Sequence, residues 1–99
     1  MRLCTVVLFC AALAHAEDWP EWRGQGRMGI WREAGIVKTF PAEGLRFRWR
    51  APVHGGYAGP AVAAGRVFVT DFRKTQGTQG IERILALDEI SGKVLWTHK

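Results

Sequence analysis

Cysteine is almost missing from this 99-residue chain. Its two cysteines, Cys4 and Cys10, both lie within the first ten residues. Everything beyond Cys10 is without a disulfide, the usual staple of small exported domains whose core is too small to hold them alone. Long apolar runs are scarce as well. The single one, Leu3 to Leu13, is broken by Thr5, is too short to span a bilayer and has no stop-transfer flank. No Gly-x-Ser-x-Gly elbow, Walker loop or zinc motif occurs, so the common nucleophile, phosphate and zinc chemistries have no local signature. There is also no dense block of one charge. Of fourteen Lys and Arg only Arg2 precedes residue 17, so the rest stand against nine Asp and Glu for a net +4. Arg46, Arg48 and Arg50 alternate with apolar residues and the other cations are scattered, a spread that argues against a nucleic-acid partner.

What is present begins with an address. Arg2, the apolar Leu3 to Leu13 run and the small-x-small triplet Ala14-His15-Ala16 follow the order of a secretory signal peptide over residues 1–16. Cleavage before Glu17 would send the remainder to the periplasm or the exterior and remove both cysteines. Lipidation of Cys10 is the alternative. It is disfavoured because the bulky Phe9 stands where a small residue is wanted. The expected mature segment carries no transmembrane helix.

Residues 17–44 form an irregular leader rich in Trp and Gly, opening with Asp18-Trp19-Pro20-Glu21-Trp22-Arg23-Gly24. A short helical turn is expected over 31–38, ended by Pro41. From residue 45 to 99 the pattern is β. Leu45, Phe47, Trp49 and Ala51 alternate with three arginines, which predicts a strand with one buried face, ended by Pro52. Gly55-Gly56-Tyr57-Ala58-Gly59-Pro60 reads as a loop able to approach other backbone closely. Residues 61–63 and 67–71 read as short strands around a tight turn at 64–66. A polar loop is expected over 74–80, followed by strands over 81–87 and 93–98.

The most informative stretch is Ala86-Leu87-Asp88-Glu89-Ile90-Ser91-Gly92-Lys93-Val94-Leu95-Trp96. Asp88, Ser91 and Gly92 supply a tight turn: short polar side chains that bond back to backbone, then a residue free to take positive φ. Trp49 and Trp96 are 47 residues apart, and aligning them sets Arg46 on Lys93 and Phe47 on Val94. That spacing suits one four-stranded blade of a propeller.

This stretch closely resembles the repeat of pyrroloquinoline-quinone-type β-propellers, Ala-x-Asp-x-x-Thr-Gly-x-x-x-Trp. The matching positions are Ala86, Asp88, Ser91, Gly92 and Trp96, with Ser91 keeping the hydroxyl of the usual Thr. Trp19-Pro20-x-Trp22-Arg23-Gly24, Trp49-x-Ala51-Pro52-Val53 and Gly56-Tyr57-x-Gly59-Pro60-Ala61-Val62 also look like the start of exported bacterial members of that family. The resemblance implies an all-β propeller of four-stranded antiparallel blades. Residues 58–98 would be one blade and residues 45–51 the outer strand of a neighbour. A ring needs about 4–8 blades, so the chain is expected to be the N-terminal part of a longer protein, whose remaining blades are its first partners.

The family includes an outer-membrane assembly scaffold and quinone-dependent alcohol and sugar dehydrogenases, so the resemblance bears on fold more than on activity. Each chemical candidate has a plainer structural role. Trp49 and Trp96 suit blade packing better than a quinone platform. Asp88 suits a turn better than catalysis or cation binding. Asp71 could face a ligand or hold a loop. His54 lacks partners at metal-ligand spacing, and His98 ends a strand. Gly24-x-Gly26-x-x-Gly29 matches a dinucleotide fingerprint in letters alone, since it follows no strand and opens no helix. Trp19, Trp22 and Trp31 could bind a sugar or peptide, or seal a propeller face.

The expectation is therefore a non-catalytic binding or scaffold protein of the cell envelope, with envelope proteins as possible partners and no cofactor held within this segment. The alternative is the N-terminal part of a periplasmic dehydrogenase, in which pyrroloquinoline quinone and calcium would be held mainly by other blades. An independent small β-domain is disfavoured on core size.

Overall fold

The computed structural model describes residues 17–99; the signal-peptide reading and Cys10 lie outside them. Four strands form one antiparallel sheet in sequence order: β1 (Ala61–Ala63), β2 (Arg66–Gln76), β3 (Gln79–Asp88) and β4 (Val94–His98). Each strand bonds to the next in the chain, so the sheet is a meander and the described chain is all-β apart from a short 3-10 turn at Gln25–Arg27.

Turn chemistry sets the connections. Ala64 and Gly65 separate the paired residues Ala63 and Arg66, and both take positive φ, 51° and 73°. A two-residue loop of this kind matches the right-handed twist of its flanking strands. At the opposite end β2 and β3 are joined by Gly77-Thr78, with Gly77 at φ 57° and a one-residue register shift at Thr75. The polar stretch expected as a loop over 74–80 is thus largely paired strand. Its side chains are polar because this end of the hairpin is exposed on both faces, while its backbone continues the ladder.

β3 is the spine: β2 pairs with it from Gln79 to Asp88, and β4 lines its other edge from Ile84 to Leu87. Leu85, Ala86 and Leu87 are its buried core, at 3, 0 and 1 % exposure. Leu85 lies opposite Val69 and Thr97, and Leu87 opposite Val67 and Val94. On the other face Ala86 lies between Phe68 on β2 and Trp96 on β4. The two rings meet at 6.1 Å between centroids, tilted by 48°. Residues flanking a central strand stand two strand spacings apart, roughly 9.6 Å. The rings lean toward each other across that gap, above a side chain that is a single methyl group.

Two expected elements are not formed. Leu45 to Ala51 is not a strand: Leu45 and Phe47 are exposed, and Arg50 lies over the Phe47 ring at 3.9 Å. Alternation alone does not make a strand when no neighbouring edge accepts its backbone. Residues 31–38 contain no helix either; two short bends occupy the segment. A lone turn of helix there would have to meet the nucleation cost without a packed face to offset it.

The sheet also gains backbone partners from the leader and loop. Trp19 exchanges two 2.8 Å hydrogen bonds with Val62 on the outer edge of β1, and the Phe72 N–H donates to the Gly55 carbonyl at 2.8 Å. Gly56 follows that contact, and a Cβ there would meet the Thr70 carbonyl oxygen at 3.4 Å. This is the close approach anticipated for the glycine loop.

The aromatic pair over Ala86 yields a test. Ala86→Leu should wedge Phe68 and Trp96 apart and destabilise the protein by about 1–3 kcal/mol, the usual cost of overpacking. Urea unfolding followed by tryptophan emission would register a lower midpoint, and an unchanged midpoint would contradict the packing described.

Candidate functional site

The best-defined local constellation is the β3–β4 turn and the tryptophan seated on it. Asp88 Oδ1 accepts hydrogen bonds from the Ile90 and Ser91 amides at 3.0 and 2.8 Å and from Ser91 Oγ at 3.0 Å. Ser91 Oγ in turn accepts from the Lys93 amide at 3.2 Å. The Gly92 N–H closes the turn on the Asp88 carbonyl at 2.8 Å. These contacts, led by the Ser91 amide, hold the Asp88 carboxyl below its ordinary value. With Oδ1 engaged by three donors, Asp88 is a turn-forming residue here.

Gly92 takes φ 71°, and the Trp49 indole rests against it. A Cβ at position 92 would come within 2.5 Å of the ring, so glycine is required both by backbone conformation and by space. The Trp49 indole N–H donates to the Glu89 carbonyl at 2.8 Å. Trp49 thus uses both its apolar face and its polar edge on a single turn. The Glu89 amide donates to the Gly65 carbonyl at 3.1 Å, which ties the β1–β2 and β3–β4 turns together at one end of the sheet. Of the repeat-motif residues, Ala86 lies between Phe68 and Trp96, Asp88 and Ser91 bond within the β3–β4 turn, and Gly92 of that turn lies against Trp49. Trp96 itself is 45 % exposed.

Asp71 forms a second cluster, on the Leu85 and Leu87 face of the sheet. Its carboxylate is buried and opposes Arg83 across β2 and β3. Arg83 donates to it through Nε at 2.9 Å and Nη2 at 2.5 Å, and the His54 backbone N–H donates at 2.7 Å. The Arg83 guanidinium, with help from the His54 amide, lowers the Asp71 pKa to about 2, against the opposing effect of burial. Of the two roles open to Asp71, the geometry places it in loop-holding: it fixes the segment that leads into Gly55. His54 contributes its backbone to this clamp.

Sequence reasoning missed Arg83. The available signal was its opposite charge at a similar distance from the Gly77 tip, hidden because the tip was taken for the middle of a loop. His98, at the end of β4, is exposed.

The leader tryptophans separate. Trp19 and Trp31, with Glu17 and Val62, line a shallow cleft of ≈ 380 Å³. Trp22 is turned outward at 72 % exposure beneath Arg23. Gly24, Gly26 and Gly29 all take positive φ in a tight turn, where the Trp19 ring would meet a Cβ on Gly24 at 2.6 Å. Their spacing answers to this turn and its packing.

Among the described residues no group of three His, Cys, Asp or Glu side chains could hold a metal ion. Asp71 and Asp88, the most structured carboxylates, are both occupied by protein donors. The described residues do not form a calcium cradle. No helix among the described residues is long and apolar enough to cross a membrane. Compared with known proteins, the chain matches no family model, no curated protein and no solved structure.

Two outcomes test these roles. Gly92→Ala should cost at least about 1–2 kcal/mol from the left-handed backbone alone, and it should also displace Trp49, read as a red-shifted emission maximum. The acid limb follows from the lowered carboxyls. The Asp71 contribution is complete above the ordinary Asp value near 3.8 and is lost as the pH falls toward about 2, and the lowered Asp88 carboxyl acts in the same direction. Urea midpoints measured across that window should fall steeply for the wild type and less steeply for Asp71→Asn. Equal slopes would remove Asp71 from the account.

Proposed function

We propose that this chain is part of an exported β-propeller repeat protein of the pyrroloquinoline-quinone-like kind, acting as a binding or scaffold protein of the cell envelope and not as an enzyme. In this reading residues 58–98 are one blade, and the unit repeats through tryptophan-on-turn docking. The observation that carries it is the pair of tryptophans 47 residues apart. Trp49 caps the Asp88–Gly92 turn with ring and N–H together. Trp96, its equivalent in the next repeat, is half exposed at the end of the meander. A following turn of the same kind would complete its burial.

The small core supports the same reading. Among the described residues three apolar side chains are buried, whereas Val94, Leu95 and Trp96 of β4 are all exposed, at 51, 48 and 45 %. A blade covered on its β4 side by a neighbour would bury that surface. The non-catalytic role is supported by Asp71 and Asp88, whose carboxylates hold loop and turn structure.

The decisive experiment reads the coding sequence beyond codon 99 and then perturbs Trp96 in the complete protein. Further Asp-x-x-(Ser/Thr)-Gly-x-x-x-Trp repeats should follow at about 40–50-residue intervals. Trp96→Ala should then destabilise the complete protein by about 3–5 kcal/mol, as removal of a buried aromatic does, and the effect in residues 17–99 alone should be much smaller. Absence of further repeats, or equal effects in both, would overturn the proposal.

A further inference from the structure

The first described residue is tied down at two points. The Glu17 backbone N–H donates to Glu33 Oε1, and Glu17 Oε2 accepts from the Arg32 amide at 2.8 Å. Residues fifteen and sixteen positions away in an otherwise irregular leader thus grip one residue through both its backbone and its side chain. Glu17 and Glu33 are each partly shielded from solvent. The residue gripped is also the one that the Ala14-His15-Ala16 triplet would leave at the start of the mature chain.

We infer that removal of residues 1–16 creates a charged latch in which the new α-ammonium group of Glu17 pairs with the Glu33 carboxylate. The inference rests on the export reading. Hydrolysis by a signal peptidase breaks the Ala16 C–Glu17 N amide bond with one water. Ala16 leaves with a carboxylate, and the Glu17 nitrogen, no longer an amide, takes up protons as an ammonium. A neutral N–H donor facing a carboxylate becomes a cationic one in the same place, and a charge-assisted bond is shorter and stronger than its neutral counterpart. The other charges adjoining the new amine along the chain are the carboxylates of Glu17 and Asp18, and Arg32 stands beside Glu33.

The latch has a structural consequence. Glu17, Trp19 and Trp31 line one cleft, and Trp19 is bonded to the β1 edge through Val62. Holding Glu17 against Arg32 and Glu33 keeps Trp31 beside Trp19. Processing would therefore strengthen a hold of the leader on the sheet that the unprocessed chain already makes.

The test uses the complete protein, exported from a bacterial host, as wild type and as Glu33→Gln. Intact mass and N-terminal sequencing locate the first residue. Competitive labelling of the α-amine across pH then reads its protonation. A mature chain beginning at Glu17 is expected, with its amine titrating above the ordinary range near 8. Labelling near pH 7.5 should be about two- to five-fold faster in Glu33→Gln, the size expected of a partly exposed ion pair, and 0.5 M salt should shrink the difference. Folding is monitored by tryptophan emission, which Glu33→Gln should leave nearly unchanged. A chain that begins at Glu17 but labels at the same rate in both proteins overturns the latch while leaving export intact. A chain that begins elsewhere overturns the export reading and the latch with it.

Discussion

The structure depends on strand β3 being bonded on both sides while its central side chains are sealed from water. Leu85 and Leu87 fill one face, and Ala86 on the other is small enough for Phe68 and Trp96 to meet above it. Backbone pairing and side-chain size are thus set by one tripeptide. A larger residue at 86 would separate the rings, and a polar one at 85 or 87 would place an unpaired group in a region with little water. The turns at both ends of β3 keep that register. Gly77 turns the chain in from β2, and Asp88 with Gly92 turns it out toward β4.

The second organising feature is the use of glycine as a seat for aromatic rings. Trp49 sits on Gly92, Trp19 on Gly24, and Phe72 covers Gly80, where a Cβ would come within 2.1 Å of the ring. Trp49 and Trp19 anchor irregular chain to the sheet or to its own turn, while Phe72 packs within the paired β2–β3 hairpin. In a protein with so few buried residues, these contacts account for the order of the leader and loop. The carboxylates of Asp71, Asp88 and Glu17 likewise serve backbone: all accept N–H bonds from loops and turns.

Much of this was legible in the residues. Ala64-Gly65 and Asp88-Ser91-Gly92 are turns by their chemistry, and the alternation around them locates β1, the first half of β2, β3 and β4 to within a few residues. The role of Asp88 follows from its place before the turn. By contrast, alternation in Leu45, Phe47, Trp49 and Ala51 pointed to a strand that does not form. A side-chain pattern records which face can be buried, whereas a strand also needs an edge to bond. The polar run 74–80 misled in the opposite direction: polarity reports exposure, and an exposed hairpin is polar while most of its backbone is paired.

The sequence by itself determined the local geometry, because positive φ at glycine, self-bonding Asp and Ser side chains and period-two alternation act over a few neighbouring residues. Which distant groups meet is set by how the sheet and its docked segments assemble. Asp71 with Arg83 and the His54 amide, Trp49 with Gly92 and Glu89, and Glu17 with Arg32 and Glu33 are separated by twelve to forty-three positions. No local preference encodes such pairs. They form because the β2–β3 register, the Trp19–Val62 bridge and the docked indole bring their segments together, and closing those loops costs entropy that only the assembled contacts offset.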